Sequence, residues 1–298
     1  MRFLSAKDVK LPKHKKSSHK GQNGRLLIIG GSEDYVGSLV LAGLAALRSG
    51  CDWVTIAAPE KVAWAANCCS PDLITKKLKG SAIGTNHLNE LLRFSQKFDV
   101  VLIGNGIGLL PQTKKFCQHF IRRCEKPLII DADALKAISL DDVPYGVMTP
   151  HRGELALLLK NSKIQADNSL SPSTLKRIRA KLGDNVLLVK GPTDEIITKD
   201  KVFYNNTGNE GMTKAGTGDV LAGLIAGLVA QGVPLKEAAK AGAFINGTVG
   251  DLLLRKKGYY SFLASDIAGD IRKLITYTWT YYKKRSSNSR GVRHAKRP

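Results

Sequence analysis

The segment Lys214-Ala215-Gly216-Thr217-Gly218-Asp219 runs directly into the apolar stretch Val220-Leu221-Ala222-Gly223-Leu224. Small residues and a threonine here open a predicted helix whose first turn carries an acid. A helix N-terminus presents unpaired N–H groups and a partial positive charge, and glycines let that backbone approach an anion closely. Such a loop, with Ala215, Gly216, Thr217 and Gly218 as an anion hole, can hold the charge that develops on a transferring phosphoryl group. Asp219 beside it can take a proton from an attacking hydroxyl. The competing reading is that Asp219 only complements the helix dipole and the glycines only shape a turn.

Other polar and glycine groups follow predicted strands. They are Gly30-Gly31-Ser32, Gly104-Asn105-Gly106-Ile107-Gly108, Asp131-Ala132-Asp133, Thr149-Pro150-His151 and Lys190-Gly191. Ligands of open α/β sheets sit beyond the carboxyl ends of the strands, so these groups describe one cleft. No G-x-x-x-x-G-K-[ST] loop is present, so P-loop phosphate chemistry is not indicated. In the 104–108 loop Leu109 stands where G-x-G-x-x-G needs its third glycine, which argues against a dinucleotide fingerprint. Asp131 and Asp133 are hard oxygen ligands that can pair on Mg²⁺, or else orient loops and cap helices. His151 either faces a ligand or caps the helix that starts near Gly153. Glu154 serves that helix N-terminus or orients a magnesium-bound water.

Positioning these residues requires alternating strands and helices. Strands are predicted at 25–29, 53–57, 100–104, 127–131, 146–149, 186–190, 195–198 and 202–204, the last two as a hairpin turning at Lys199-Asp200. Helices are predicted at 37–49, 113–123, 152–159, 172–181, 217–231, 235–254 and 265–282. Leu26–Ile29 and Val100–Ile103 are apolar throughout, as strands buried on both faces are. The alternation predicts a largely parallel sheet covered by helices.

The net charge of +21 is concentrated at the ends. Residues 1–20 carry seven basic residues against Asp8, and residues 283–298 carry seven and no acid, so thirteen of the 21 charges lie there. Basic ends can bind nucleic acid nonspecifically; a solvated, frayed terminus is the plainer expectation. Five cysteines without a C-x-x-C pair predict free thiols rather than disulfides or zinc. No apolar run approaches the roughly 18 residues of a membrane span, and Met1–Lys20 lacks a signal peptide's apolar stretch. A cytoplasmic protein with no membrane partner is expected.

Several segments, in order, resemble the NAD(P)H-hydrate dehydratase family of the ribokinase-like superfamily. They are Gly30-Gly31-Ser32 with Tyr35-Val36-Gly37 and Ala45–Gly50; Gly104–Gly108; Asp131-Ala132-Asp133-Ala134-Leu135; Thr149-Pro150-His151-Arg152-Gly153-Glu154; Val189-Lys190-Gly191; Thr207-Gly208-Asn209; and Gly216–Gly223. The resemblance covers about residues 20–275. It implies an α/β three-layer sandwich with a mostly parallel central sheet and helices on both faces. The implied activity is dehydration of the S epimer of hydrated NADH or NADPH, driven by ADP or ATP with Mg²⁺, by phosphorylation of the 6-hydroxyl and loss of phosphate. By family position Asp219 is the catalytic base. Ser38, Gly108, His151 and Asp219 contact the hydrated cofactor, and Lys190, Gly191, Pro192, Thr193, Asp194 and Gly218 line the adenine nucleotide. A homo-oligomer is the expected assembly. Here the glycine loop has Asn105 and Ile107 where the family usually reads Gly-Pro-Gly-Leu-Gly, Arg152 follows the histidine where proline is usual, and Ala215 precedes Gly216. Many relatives carry a fused epimerase domain ahead of this one, for which the 298 residues are expected to leave no room.

The expected organisation is a basic extension (1–20), one catalytic domain (21–282) and a basic tail (283–298). Two rival functions follow from the same residues. Hydroxymethylpyrimidine and hydroxyethylthiazole kinases share the Gly-Thr-Gly-Asp element, so a vitamin-type kinase with a stable phosphorylated product is one. Nucleic-acid binding through the termini is the other, with no aromatic-rich motif beside them.

Overall fold

Apolar runs that do not alternate must be covered on both faces, and the strands are. In the computed structural model, which describes residues 2–165 and 170–275, the strands are β1 (Arg25–Ile29), β2 (Trp53–Pro59), β3 (Ile74–Leu78), β4 (Val100–Ile103), β5 (Leu128–Ile130), β6 (Gly146–Met148), β7 (Val186–Val189), β8 (Asp194–Ile197) and β9 (Val202–Asn205). Among the described residues they form one sheet in the order β3-β2-β1-β4-β5-β6-β7-β8-β9. The pairings from β3 through to β7 are parallel. β7-β8 and β8-β9 are antiparallel, as the hairpin reading expects.

The helices are α1 (Val36–Arg48), α2 (Glu60–Cys69), α3 (Leu88–Ser95), α4 (Pro111–Arg123), α5 (Arg152–Asn161), α6 (Pro172–Leu182), α7 (Thr217–Ala230) and α8 (Leu235–Lys257); residues 264–275 are also helical. One core joins Leu26, Ile28, Val100 and Leu102 to α1, α2, α7, α8 and residues 267–274. The other joins Leu27, Ile29, Val101 and Ile103 to α3, α4, α5 and α6. Three layers result. α7 is buried almost all round because Gly223 and Gly227 lie against α1: a Cβ on Gly223 would sit 2.0 Å from the Ala42 carbonyl oxygen.

Three elements lie where no element is predicted from the sequence: α2, β3 and α3. β3 is an edge strand reading Ile-Thr-Lys-Lys-Leu, with Ile74 exposed and only Leu78 buried, so it lacks alternation. α2 buries only Val62, Ala63 and Ala66, too small a stripe to stand out. The predicted helix 265–282 is helical through residue 275, and its remainder lies outside the described residues, as does the basic tail 283–298.

The frayed N-terminus expected from composition does not occur in residues 2–9. Phe3 bridges Tyr204 in parallel; the Leu4 N–H donates to the Tyr204 carbonyl (2.8 Å) and the Tyr204 N–H to the Arg2 carbonyl (3.0 Å). Leu4 and Val9 are buried in the α7–α8 core, and His14 hydrogen-bonds Gln231 at 2.8 Å. The segment thus covers the open edge of β9, and its basic side chains snorkel outward from a packed backbone. Burying a Leu or Val stabilises by about 1.5–3 kcal/mol each. Deleting residues 1–18 is therefore expected to lower the melting temperature on the order of 5–10 °C; an unchanged melting temperature would show the segment to be dispensable.

Candidate active site

The chain leaves β1 for β2 on one side and returns to β4 on the other, so a crevice opens beyond the carboxyl ends of these neighbours. The loops predicted to form one cleft do meet there. Gly31 N–H donates to the Asn105 carbonyl at 2.9 Å, and Asp131 N–H to Ile103 at 3.1 Å. His151 forms a bridge with Lys190.

Gly216 caps α7 with a φ of 94°, a left-handed conformation that favours glycine. The Thr217 hydroxyl is turned back, donating to the carbonyls of Met212 (2.8 Å) and Lys214 (3.0 Å). It pins the turn, so only backbone N–H groups of this turn are left to meet an anion. Lys214 points away, donating to the Tyr260 carbonyl.

Asp219, in the first turn of α7, joins a part-buried network that spans the loops after β4, β5, β6 and β7. Asn105 Nδ2 donates to Asp219 Oδ1 at 2.6 Å and to Asp131 Oδ2 at 3.0 Å. Asp131 Oδ1 accepts from the Thr149 hydroxyl at 2.8 Å and from Lys190 Nζ at 2.9 Å. Lys190 Nζ lies 4.0 Å from Glu154 Oε2, and a Cβ on Gly218 would be 3.2 Å from Lys190 Nζ. Three carboxylates and one ammonium therefore share one site, Asp131 and Glu154 buried and Lys190 and Asp219 partly exposed. Burial pushes the Asp219 carboxyl up to about 6; Asp131 and Glu154 add to the rise, while the Asn105 hydrogen bond and Lys190 oppose it. That value suits a base working near neutral pH. Burial alone would depress the Lys190 ammonium, but the Asp131, Glu154 and Asp219 charges outweigh it and hold it above the ordinary lysine value.

The other residues singled out from sequence fall as follows. His151 caps α5: its Nδ1 accepts from the Gly153 and Glu154 N–H groups (3.0 and 3.3 Å) while Glu154 Oε2 accepts the His151 N–H (2.9 Å). The capping reading is thus realised, and the ring remains exposed at the cleft with Nε2 3.4 Å from Glu154 Oε1. The Gly108 N–H donates to Asp133 Oδ2 at 3.1 Å, and a Cβ on Gly108 would meet nothing within 4 Å. Ser38 donates to the Tyr35 carbonyl at 2.9 Å beside Gly106. In the Lys190–Asp194 loop the Asp194 carboxylate is turned inward, accepting from Gly191 N–H (3.1 Å) and Asn205 Nδ2 (3.0 Å); burial raises its carboxyl above the ordinary value. Gly191 and Pro192 are exposed.

Asp131 and Asp133 each have partners within the protein. Asp131 accepts from Thr149, Lys190 and Asn105, and Asp133 Oδ1 is held by Lys136 at 2.8 Å. Among the described residues no group of three or more His, Cys, Asp or Glu side chains is arranged to hold a metal. Asn105 and Thr149, which join the acids, were not singled out from sequence as functional; the one visible signal was an amide between the two glycines of the 104–106 turn.

A three-layer sheet whose carboxyl edge faces a glycine-capped helix bearing an acid is the ribokinase-like architecture. A ribokinase-like superfamily protein from Enterococcus faecalis is similar across 94% of this chain and 96% of its own, at 26% identity and a TM-score of 0.77. A family model described as NAD(P)H-hydrate dehydratase matches residues 26–273, and the chain belongs to that family. The bifunctional NAD(P)H-hydrate repair enzyme Nnr of Methanothermobacter thermautotrophicus is 42% identical over 281 residues, 92% of this chain and 54% of the relative. The chain spans about half the length of the curated relatives it matches. A Bacillus subtilis ADP/ATP-dependent NAD(P)H-hydrate dehydratase, co-crystallised with ATP and Mg²⁺, shares the fold at a TM-score of 0.75 and 24% identity, over 93% of this chain and 98% of its own.

Proposed function

We propose that this chain returns the S epimer of hydrated NADH or NADPH to the reduced cofactor, using ADP or ATP. The observation that carries the reading is the placement of Asp219, a part-buried carboxylate with its pKa raised to about 6, in the first turn of α7 beside the Gly216 and Gly218 N–H groups. Asp219 takes the proton of the 6-hydroxyl as that oxygen attacks the terminal phosphoryl group. The first-turn N–H groups of α7 and the Lys190 ammonium meet the charge that develops on that group. Loss of phosphate from C6, with a proton from C5, then restores the ring double bond. The hydrated cofactor lies along Ser38, Gly108 and the exposed face of His151; the nucleotide lies along Lys190–Thr193. Mg²⁺, when bound, would neutralise charge on the nucleotide phosphates. Free thiols at all five cysteines suit a reducing, cytoplasmic setting.

The test is regeneration of NADH from purified S hydrate. We expect NADH to form with ATP or ADP plus Mg²⁺ and not without a donor. No NADH with either donor, from protein shown to be folded, would overturn the reading.

A further inference from the structure

Asn105 is fully buried and sits in a tight turn between two glycines. Gly104 before it has a φ of +121° and a Cβ there would lie 2.0 Å from the Asp131 carbonyl oxygen. Gly106 after it has a φ of +62°, and a Cβ there would lie 2.5 Å from Ser38 Oγ. The turn is therefore pressed between the end of β5 and the start of α1, and the Asn105 carbonyl is itself fixed by the Gly31 N–H. The side chain has one place to go, and there it meets two carboxylates.

An amide nitrogen has two hydrogens, and Asn105 directs one to Asp131 and one to Asp219. Its Oδ1 has no hydrogen-bond partner among the described residues. Flipping the amide would aim that oxygen at both acids, a repulsive arrangement while they are ionised. The orientation is thus set by the two charges, and the neutral amide lets both stay ionised close together. Lys190 touches Asp131 and reaches Asp219 only through space. Asn105 is the residue in direct contact with both acids.

We infer that Asn105 is a positioning residue that holds the Asp219 carboxylate in place as proton acceptor by clamping it to the Lys190-paired Asp131. The inference rests on the reading of Asp219 as the base. Four groups face Asp219: Asn105 from the loop after β4, Asp131 after β5, Glu154 on α5 and Lys190 after β7. Two of them, Asp131 and Glu154, disfavour its charge, and Asn105 and Lys190 favour it. Removing the amide leaves two like charges opposed by Lys190 alone.

Asn105→Leu, close in volume but without a donor, is the main variant; Asn105→Ala is the second, should Leu not fold. Two readouts are taken on the ligand-free full chain and in the assay. The Asp219 carboxyl is titrated by carbon-13 NMR with labelled aspartate, assigned by its loss in Asp219→Asn. The pH dependence of kcat/KM is then measured. We expect the Asp219 titration, and with it the acid limb of kcat/KM, to move up by about one pH unit or more. At pH near 6 a shift of one unit is roughly a fivefold loss relative to the unmodified chain, recovering to within a few-fold above pH 8. A uniform loss of turnover with the limb and the NMR titration unmoved would reduce Asn105 to a packing role and overturn the inference. If no turnover is found in the unmodified chain, the proposed function fails. The NMR titration still decides the clamp in that case: an unmoved resonance refutes it and an upward shift supports it.

Discussion

Asp219→Asn is expected to reduce turnover by about 10²–10⁴-fold while raising, not lowering, the melting temperature at neutral pH. The shape of the side chain is kept and its capacity to accept a proton is lost. Adenine-nucleotide affinity should survive, because the Gly216–Gly218 backbone and Lys190 remain. The direction of the stability change follows from the raised carboxyl. Its folded-state pKa of about 6 lies above the ordinary value of 3.8, so the folded chain holds this proton more tightly than the unfolded chain does. The associated stability is fully present below about pH 4 and is lost as pH rises through about 6. Above pH 6 the ionised Asp219 costs about 1–3 kcal/mol, and the asparagine removes that cost. The variant should therefore melt higher than the parent at pH 7–8 and no higher at pH 4. A purely helix-dipole role for Asp219 predicts the reverse: a loss of about 0.3–1 kcal/mol and near-normal turnover. Measuring turnover, nucleotide affinity and melting at both pH values on one preparation separates the two.

Lys190→Met should have the second large effect. It leaves Asp131, which is 2% exposed at its side chain, without its counter-charge, and Glu154 and Asp219 without theirs. Removing one partner of a buried pair costs about 3–5 kcal/mol; with Lys190 itself 21% exposed, the low end near 3 is expected. Nucleotide affinity should fall with it, since the cation beside the α7 N-terminus is gone. The Asp219 carboxyl should also titrate higher, shifting the acid limb of activity upward. A variant with unchanged melting and unchanged nucleotide affinity would place Lys190 outside the site.

The alternation of strands and helices was legible because the runs that form β1 and β4 must be covered on both faces. Residues 60–95 were not legible, since α2 packs with alanines and β3 presents lysines at a sheet edge. Glycines and acids following strands pointed to one cleft edge before any coordinates. The contact among Asn105, Asp131 and Asp219 could not be read that way. It depends on β4 lying beside β5 and on α7 crossing above both, and those are tertiary facts. His151 carries a readable cap signal, a Glu three residues on, though histidine is uncommon at a cap, and capping leaves its ring exposed. The N-terminal extension misled through charge: Lys and Arg dominate its composition, while Leu4 and Val9 decide where it sits.

One measurement bears most directly on the central claim that Asp219 and the α7 N-terminus drive a dehydration through a phosphorylated intermediate. Hydrated NADH of the S configuration is incubated with the full chain, Mg²⁺ and ATP, and NADH and inorganic phosphate are quantified together. The account predicts that the two rise in equal amounts and that neither rises without ATP. A stable phosphorylated substrate with no NADH, as a vitamin-type kinase would leave, or NADH formed without phosphate release, would contradict it.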